Sequence, residues 1–313
     1  MSLASFVQIV ARGKSRARPL TFDEAKSAMT LMLDPATPRE ATGALLMVLR
    51  MRGETPDEIA GFAAALATTA PLPTADLDWP CYAAGRTRGA PLFLLAAKLV
   101  AQAGYRVAIH GYNSHQTAAA DVETALNTCK LLGDGLSYTP LSRLSPSALR
   151  LLKLRETLGL RSCINTVLRV WNPSGASASV QGVFHPSYRS LQAKAGLIRG
   201  AKTLSIIKGG GGEFERHPSK SVETFGLRNG AHFQTLHAPI WGGIRRLHDP
   251  DTPVSASDLW FDQITDPFAT ATVIGTAALA LWTLNAQPDM ASAETYAAAL
   301  WDARHTLIDR KSA

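Results

Sequence analysis

The chain has 313 residues, enough for one large domain or two modest ones, and enough to bury a full core without disulfides or a structural metal. Apolar residues make up 46% of it and charged residues 18%, which excludes a disordered or fibrous protein. Thirty-two Lys and Arg face 25 Asp and Glu, and the resulting charge of +7 draws polyanions: nucleic acid, phosphorylated ligands or an acidic partner.

The first 70 residues read as helices. A Thr followed three residues later by Glu marks a helix start at Thr21/Glu24, Thr37/Glu40 and Thr55/Glu58, the last two with Pro38 and Pro56 at the first helical position. Between these signals apolar residues recur at helical spacing, as in Ala25, Met29 and Met32 or Ile59, Phe62 and Ala63, and Gly53 stands where the middle helix stops. Pro71 and Pro73 end this bundle and form a linker.

From Trp79 the period changes. A strand at 80–84 runs into Gly85-Arg86-Thr87-Arg88-Gly89, a helix covers 91–103, and a second strand covers 105–110. That β-turn-α-β order predicts a parallel sheet. A helix follows over 146–158, closed by Gly159, then a strand over 203–207 that empties into Gly209–Gly212. The last 50 residues read as mostly helical. Phe268–Ala286 lacks charge and has the length of a membrane span, but its Ala, Thr, Gly275 and Asn285 make it a buried helix of a soluble protein. Three scattered cysteines (Cys81, Cys129, Cys163) and the absence of a recognisable secretory leader make a reducing cytoplasm the expected setting.

Two stretches stand out as candidate sites. Gly85-Arg86-Thr87-Arg88-Gly89, between a strand and a helix, reads either as a phosphate or anion cradle strengthened by two guanidinium groups or as an ordinary glycine turn. Arg12, Lys14, Arg16 and Arg18 fall within seven residues, and read either as a polyanion contact or as a solvated basic loop. The four-glycine run lacks the Lys-Ser/Thr of a P-loop, no His-Glu-x-x-His or Gly-x-Ser-x-Gly occurs, and the histidines are too scattered to suggest a metal site.

The series Leu20-Thr21, Glu24-Ala25, Gly43-Ala44-Leu45-Leu46-Met47, Leu49-Arg50, Arg52-Gly53-Glu54-Thr55 and Glu58-Ile59-Ala60-Gly61 strongly resembles the N-terminal helical domain of anthranilate phosphoribosyltransferases. His110-Gly111, Leu158-Gly159-Leu160-Arg161-Ser162 with Asn165, and Asn172-Pro173 continue the resemblance through most of the chain. It implies an α/β fold: a small all-helical domain at 1–72, joined by helices from about 144–170, and a larger α/β domain at 75–143 and 174–313 with a central, mostly parallel sheet. It also implies a homodimer formed through the helical domains.

The chemistry departs from the family pattern. The Gly-Thr-Gly-Gly-Asp loop that binds phosphoribosyl pyrophosphate reads Gly85-Arg86-Thr87-Arg88-Gly89, and the hydroxyl-bearing Asn-x-Ser-Thr after it reads Ala90-Pro91-Leu92-Phe93-Leu94. A phosphate-facing lysine has become Ile109, and the Asp-Glu pair that holds magnesium reads Phe214-Glu215, with Glu213 nearby. The pattern resembles a paralogous branch that keeps the fold but binds nucleic acid, sharing Arg12-Gly13-Lys14 and Lys208-Gly209-Gly210-Gly211-Gly212-Glu213. The leading expectation is therefore sequence-independent binding of DNA or RNA, single strands preferred, by a cytoplasmic homodimer with no cofactor, no metal and no membrane association. Its contacts are expected at Arg12, Lys14, Arg16, Arg18, Arg86, Arg88, Arg155 and Lys202. The alternative is a phosphoribosyl or glycosyl transferase with an altered acceptor. It uses His110, Arg161 and Asn165, with phosphoribosyl pyrophosphate bound either with magnesium or with Arg86 and Arg88 as counter-charges in its place.

Overall fold

The computed structural model describes residues 2–13, 15–69, 72–82, 89–112, 120–249 and 251–306. Its first layer is helical: α1 (Leu3–Ala11), α2 (Phe22–Leu33), α3 (Arg39–Arg52) and α4 (Pro56–Ala64). Two of the three expected start signals form complete capping boxes, Thr21 with Glu24 and Thr55 with Glu58. The third does not. Pro38 caps α3 without a side-chain bond, and the Thr37 hydroxyl donates instead to the Leu31 carbonyl at 2.6 Å, closing the end of α2.

Glu58 shows what a capping residue does when it is also buried. One oxygen accepts the Thr55 N–H at 2.9 Å, while the other accepts the Leu20 N–H at 2.9 Å and the Arg52 guanidinium. One carboxylate thus fastens the start of α4 to the lead-in of α2 and the end of α3.

The second layer is a seven-stranded sheet, in the order β3-β2-β1-β4-β5-β6-β7. It comprises β1 (Leu77–Cys81), β2 (Val107–Gly111), β3 (Leu136–Pro140), β4 (Ala178–Val183), β5 (Thr203–Lys208), β6 (Val222–Arg228) and β7 (Ala231–His237). The first five strands run parallel, and β6 and β7 form an antiparallel hairpin. Between them lie α5 (Phe93–Gln102), α6 (Val122–Thr128), α7 (Leu141–Leu144), α8 (Pro146–Leu158), α9 (Ile164–Val170) and α10 (Tyr188–Ile198). The chain closes with α11 (Ala256–Trp260), α12 (Pro267–Thr283) and α13 (Met290–Asp302).

Burial follows two cores. Residues of α1–α4 share one with α7, α8 and α9, while α5, α12 and α13 pack with β1, β2 and β4 in the other. The uncharged segment from Phe268 is α12, buried over most of its length, and no described helix is long and apolar enough to cross a membrane. The carboxyl ends of β1, β4 and β5 face the seam between the helical layer and the sheet, the place where open parallel sheets present their ligand sites.

Candidate anion-binding cleft

A cleft of about 520 Å³ opens at that seam. Helix α8 stops at Gly159, whose φ of 69° turns the chain back, so that Arg161 returns beside Arg155. Arg50 from the end of α3 and Arg169 from α9 line the same space, together with Asn165, Phe184, His185 and Tyr188. Four guanidinium groups border one cavity. Burial first, and then the neighbouring charges of Arg155 and Arg50, hold the Arg161 pKa below its ordinary value. The half-exposed Phe184 ring and Tyr188 add flat apolar surface, suited to an anion that carries a ring.

Arg169 has a different task. It is buried, and it donates to the backbone carbonyl of Tyr82 at 3.2 Å and to that of Asn165 at 3.4 Å. The Asn165 amide also points at the Tyr82 carbonyl, at 3.5 Å. Both residues thus hold the exit of β1 from beneath.

His110 lies deeper still, at 1% exposure. Its Nε2 is 3.2 Å from the buried Asp78 carboxylate, which assigns the proton to that nitrogen and leaves Nδ1 to accept the Tyr82 hydroxyl at 2.8 Å. Asp78 also accepts the Ser179 hydroxyl at 3.3 Å. This Tyr-His-Asp chain is satisfied internally and has no surface for a ligand. Of the three residues expected to work together in a transferase, Arg161 and Asn165 line the cleft and His110 is interior framework.

The expected basic set separates similarly. Arg155 is in the cleft, and Arg12 and Arg16 are exposed just beyond α1. Arg18 is paired with Glu24 through two contacts of 2.6 and 2.7 Å, which lowers the Glu24 pKa to about 2. Lys202 precedes β5, next to the turn at Gly230, at the opposite end of that strand from the cleft. Lys14, Gly85, Arg86, Thr87 and Arg88 lie outside the described residues; of the expected phosphate loop only Gly89 is described.

The segment after β5 decides whether the residues fit a magnesium ion. Gly211 and Gly212 adopt φ of 62° and 90° and let the chain fold back across β4, where the backbone of Glu213 occupies the space a Cβ on Gly182 would need. Phe214 is fully buried against the edge of Trp79, with ring centroids 5.4 Å apart, so it is core. Glu215 is also fully buried. One oxygen accepts the Phe93 N–H at 2.9 Å, and the other lies 3.0 Å from His248 Nε2. A hard cation takes oxygen donors, and at the place of the family's Asp-Glu pair Phe214 offers none while Glu215 already accepts the Phe93 N–H and lies against His248; the buried Glu213 precedes the pair rather than completing it. No group of three potential metal ligands occurs among the described residues, and the site does not fit magnesium.

Residues 6–70 match the family model described as the glycosyl transferase family, helical bundle domain. The chain is 32% identical to anthranilate phosphoribosyltransferase of Halobacterium salinarum over 239 residues, 70% of this chain and 69% of that one. The Rubrobacter xylanophilus enzyme of the same name is 30% identical over 273 residues, covering 76% and 77%. Among solved structures, anthranilate phosphoribosyltransferase from Thermus thermophilus superposes with a TM-score of 0.80 over 99% of this chain and 98% of its own, at 20% identity. The Saccharomyces cerevisiae enzyme, in complex with PRPP and Mg, gives 0.74 over 97% and 95%, at 14% identity. These last two likenesses speak to the fold.

Proposed function

Because this chain belongs to the anthranilate phosphoribosyltransferase-like family of glycosyltransferases, we propose that its arginine-lined cleft binds a carboxylate or phosphate ligand and serves phosphoribosyl or glycosyl transfer to an altered acceptor. The observation that carries this reading is the convergence of Arg50, Arg155 and Arg161 on one cavity beside Phe184 and Tyr188. Guanidinium groups suit planar oxyanions, and the two rings suit an aromatic body. Counter-charge for a pyrophosphate comes in this reading from Arg86 and Arg88, since Phe214 and the engaged Glu215 do not form the family's metal site.

Calorimetric titration with benzoate-type carboxylates and with phosphoribosyl pyrophosphate, without metal, tests it. Binding of either at submillimolar concentration is expected. Arg161→Ala should weaken carboxylate binding by roughly tenfold or more, the loss of one charge-assisted contact. No heat from either ligand at millimolar concentration would overturn the reading.

A second reading rests on a different observation: Arg12 and Arg16 are exposed outside the cleft, where a small ligand has no use for them. In this reading the chain is a homodimer through its helical layer and binds nucleic-acid backbone without sequence preference. Doubling the charge of +7 gives a polycation of about +14, suited to a long phosphate track. Fluorescence anisotropy with labelled single- and double-stranded oligonucleotides tests it, and binding indifferent to salt would exclude it.

A further inference from the structure

The amino end of α5, at the exit of β1, is where a strand–turn–helix unit presents N–H groups to an anion. Here that position is filled from within. The first-turn N–H of Phe93 points at Glu215 Oε2 at 2.9 Å, and the carboxylate bearing it has no solvent exposure. Its other oxygen lies 3.0 Å from the His248 Nε2. The imidazole is wedged between two glycines: a Cβ on Gly89 would stand 2.4 Å from His248 Nδ1, and one on Gly210 would stand 3.2 Å from Nε2 and 2.8 Å from Glu215 Oε1. Either glycine replaced by any other residue collides with the pair.

The segment that delivers His248 is held from two sides. Arg245 grips both oxygens of Asp266 at 2.8 and 2.7 Å and covers the Phe268 ring at 5.1 Å, while Leu247 fills the remaining space over Gly210.

We infer that the chain occupies its own donor-side anion site: Glu215 stands at the amino end of α5 where a phosphate would sit, held there by the Phe93 N–H and packed against the His248 imidazole. Phosphorylated ligands therefore reach this end of the sheet only by displacing Glu215, and they do so without a divalent cation. The inference concerns the β1–α5 side, to which the proposed function assigns the pyrophosphate, and is separate from the carboxylate ligand of the arginine cleft.

Inorganic pyrophosphate is the probe, titrated calorimetrically into the wild-type chain, Glu215→Gln and His248→Ala, each with and without magnesium, with thermal melts to confirm folding. Glu215→Gln keeps an acceptor for the Phe93 N–H and removes the charge. Wild type should bind pyrophosphate weakly and equally with and without magnesium. Glu215→Gln should tighten binding by about tenfold or more, again independently of metal, because a like charge is gone from the amino end of a helix. His248→Ala, which opens the wedge without touching the carboxylate's own bond to α5, should shift binding in the same direction. Glu215→Gln and His248→Ala should leave benzoate binding in the arginine cleft unchanged, so failure of the cleft reading shows in a separate measurement. Manganese paramagnetic resonance gives the opposing outcome directly. A bound manganese signal in wild type that Glu215→Gln removes, or pyrophosphate affinities identical in all three proteins, would overturn the inference.

Discussion

Single buried side chains set how this molecule responds to acid. His237 closes β7 at 8% exposure, packs edge-on against Trp282 at 5.4 Å, and leaves its Nε2 without a hydrogen-bond partner. Burial first, and the charge of Arg216 second, lower its pKa from an ordinary 6.5 to about 4. His217 is lowered to about 4 as well, chiefly by burial and then by Lys220. In the window between 4 and 6.5 the unfolded chain holds a proton that the folded chain refuses. Stability is therefore complete above pH 6.5 and falls as the pH drops toward 4, by no more than about 3 kcal/mol from His237. Chemical denaturation at several pH values should show this decline, and His237→Phe should reduce it to roughly the part that His217 contributes. A decline of equal size in the variant would place its origin elsewhere. Arg216 itself, 1% exposed, avoids the cost of a lone buried charge by pairing with Glu294 at 2.7 Å and donating to the Ala238 carbonyl at 2.7 Å.

Elements were legible where their ends carry chemistry. The Thr-x-x-Glu signals at Thr21 and Thr55, and Gly53 and Gly159 as stops with φ of 83° and 69°, mark the same helix ends in the sequence and in the fold. Thr37 misled because its hydroxyl found a nearer acceptor in the Leu31 carbonyl. Strands β3, β4, β6 and β7 escaped the reading. β4 carries Ser179 and Gln181 inside the sheet, breaking the apolar run expected of a buried strand. The β6–β7 hairpin did carry a signal, Asn229-Gly230 with φ of 52° and 79°, the pair favoured in two-residue hairpin turns. Site residues were legible only as types: spacing shows neither that His110 is sealed by Tyr82 and Asp78 nor that His248 reaches Glu215 across 33 positions of the chain. The two kinds of cap also differ in strength. Thr55→Ala should cost about 1 kcal/mol, a lost cap alone. Glu58→Ala should cost about 3 kcal/mol, because it also strands the Leu20 N–H and the Arg52 guanidinium around a buried position. Urea denaturation of both variants checks the ratio, and equal losses would show that the cross-layer bonds of Glu58 contribute little.

At the scale of the whole molecule, two groups of arginines among the described residues bear on function: a cleft set, Arg50, Arg155 and Arg161, and an outlying set, Arg12 and Arg16. The division makes the two readings of function separable by ionic strength. A small carboxylate or phosphate displaces few counterions, so its affinity falls gently with salt. A single strand releases them along its whole contact, with a logarithmic slope of roughly 0.7 per phosphate neutralised. If a strand runs from the cleft to the outlying set, Arg12→Ala with Arg16→Ala should reduce the oligonucleotide slope by about 1.4, and Arg161→Ala should reduce it by about 0.7. Arg18→Ala should change it little, because Glu24 already neutralises that guanidinium. Anisotropy titrations at four salt concentrations measure all of these slopes. A slope that responds to Arg161 and ignores Arg12 and Arg16 confines the anion to the cleft, and returns the basic segment beyond α1 to the role of a solvated loop.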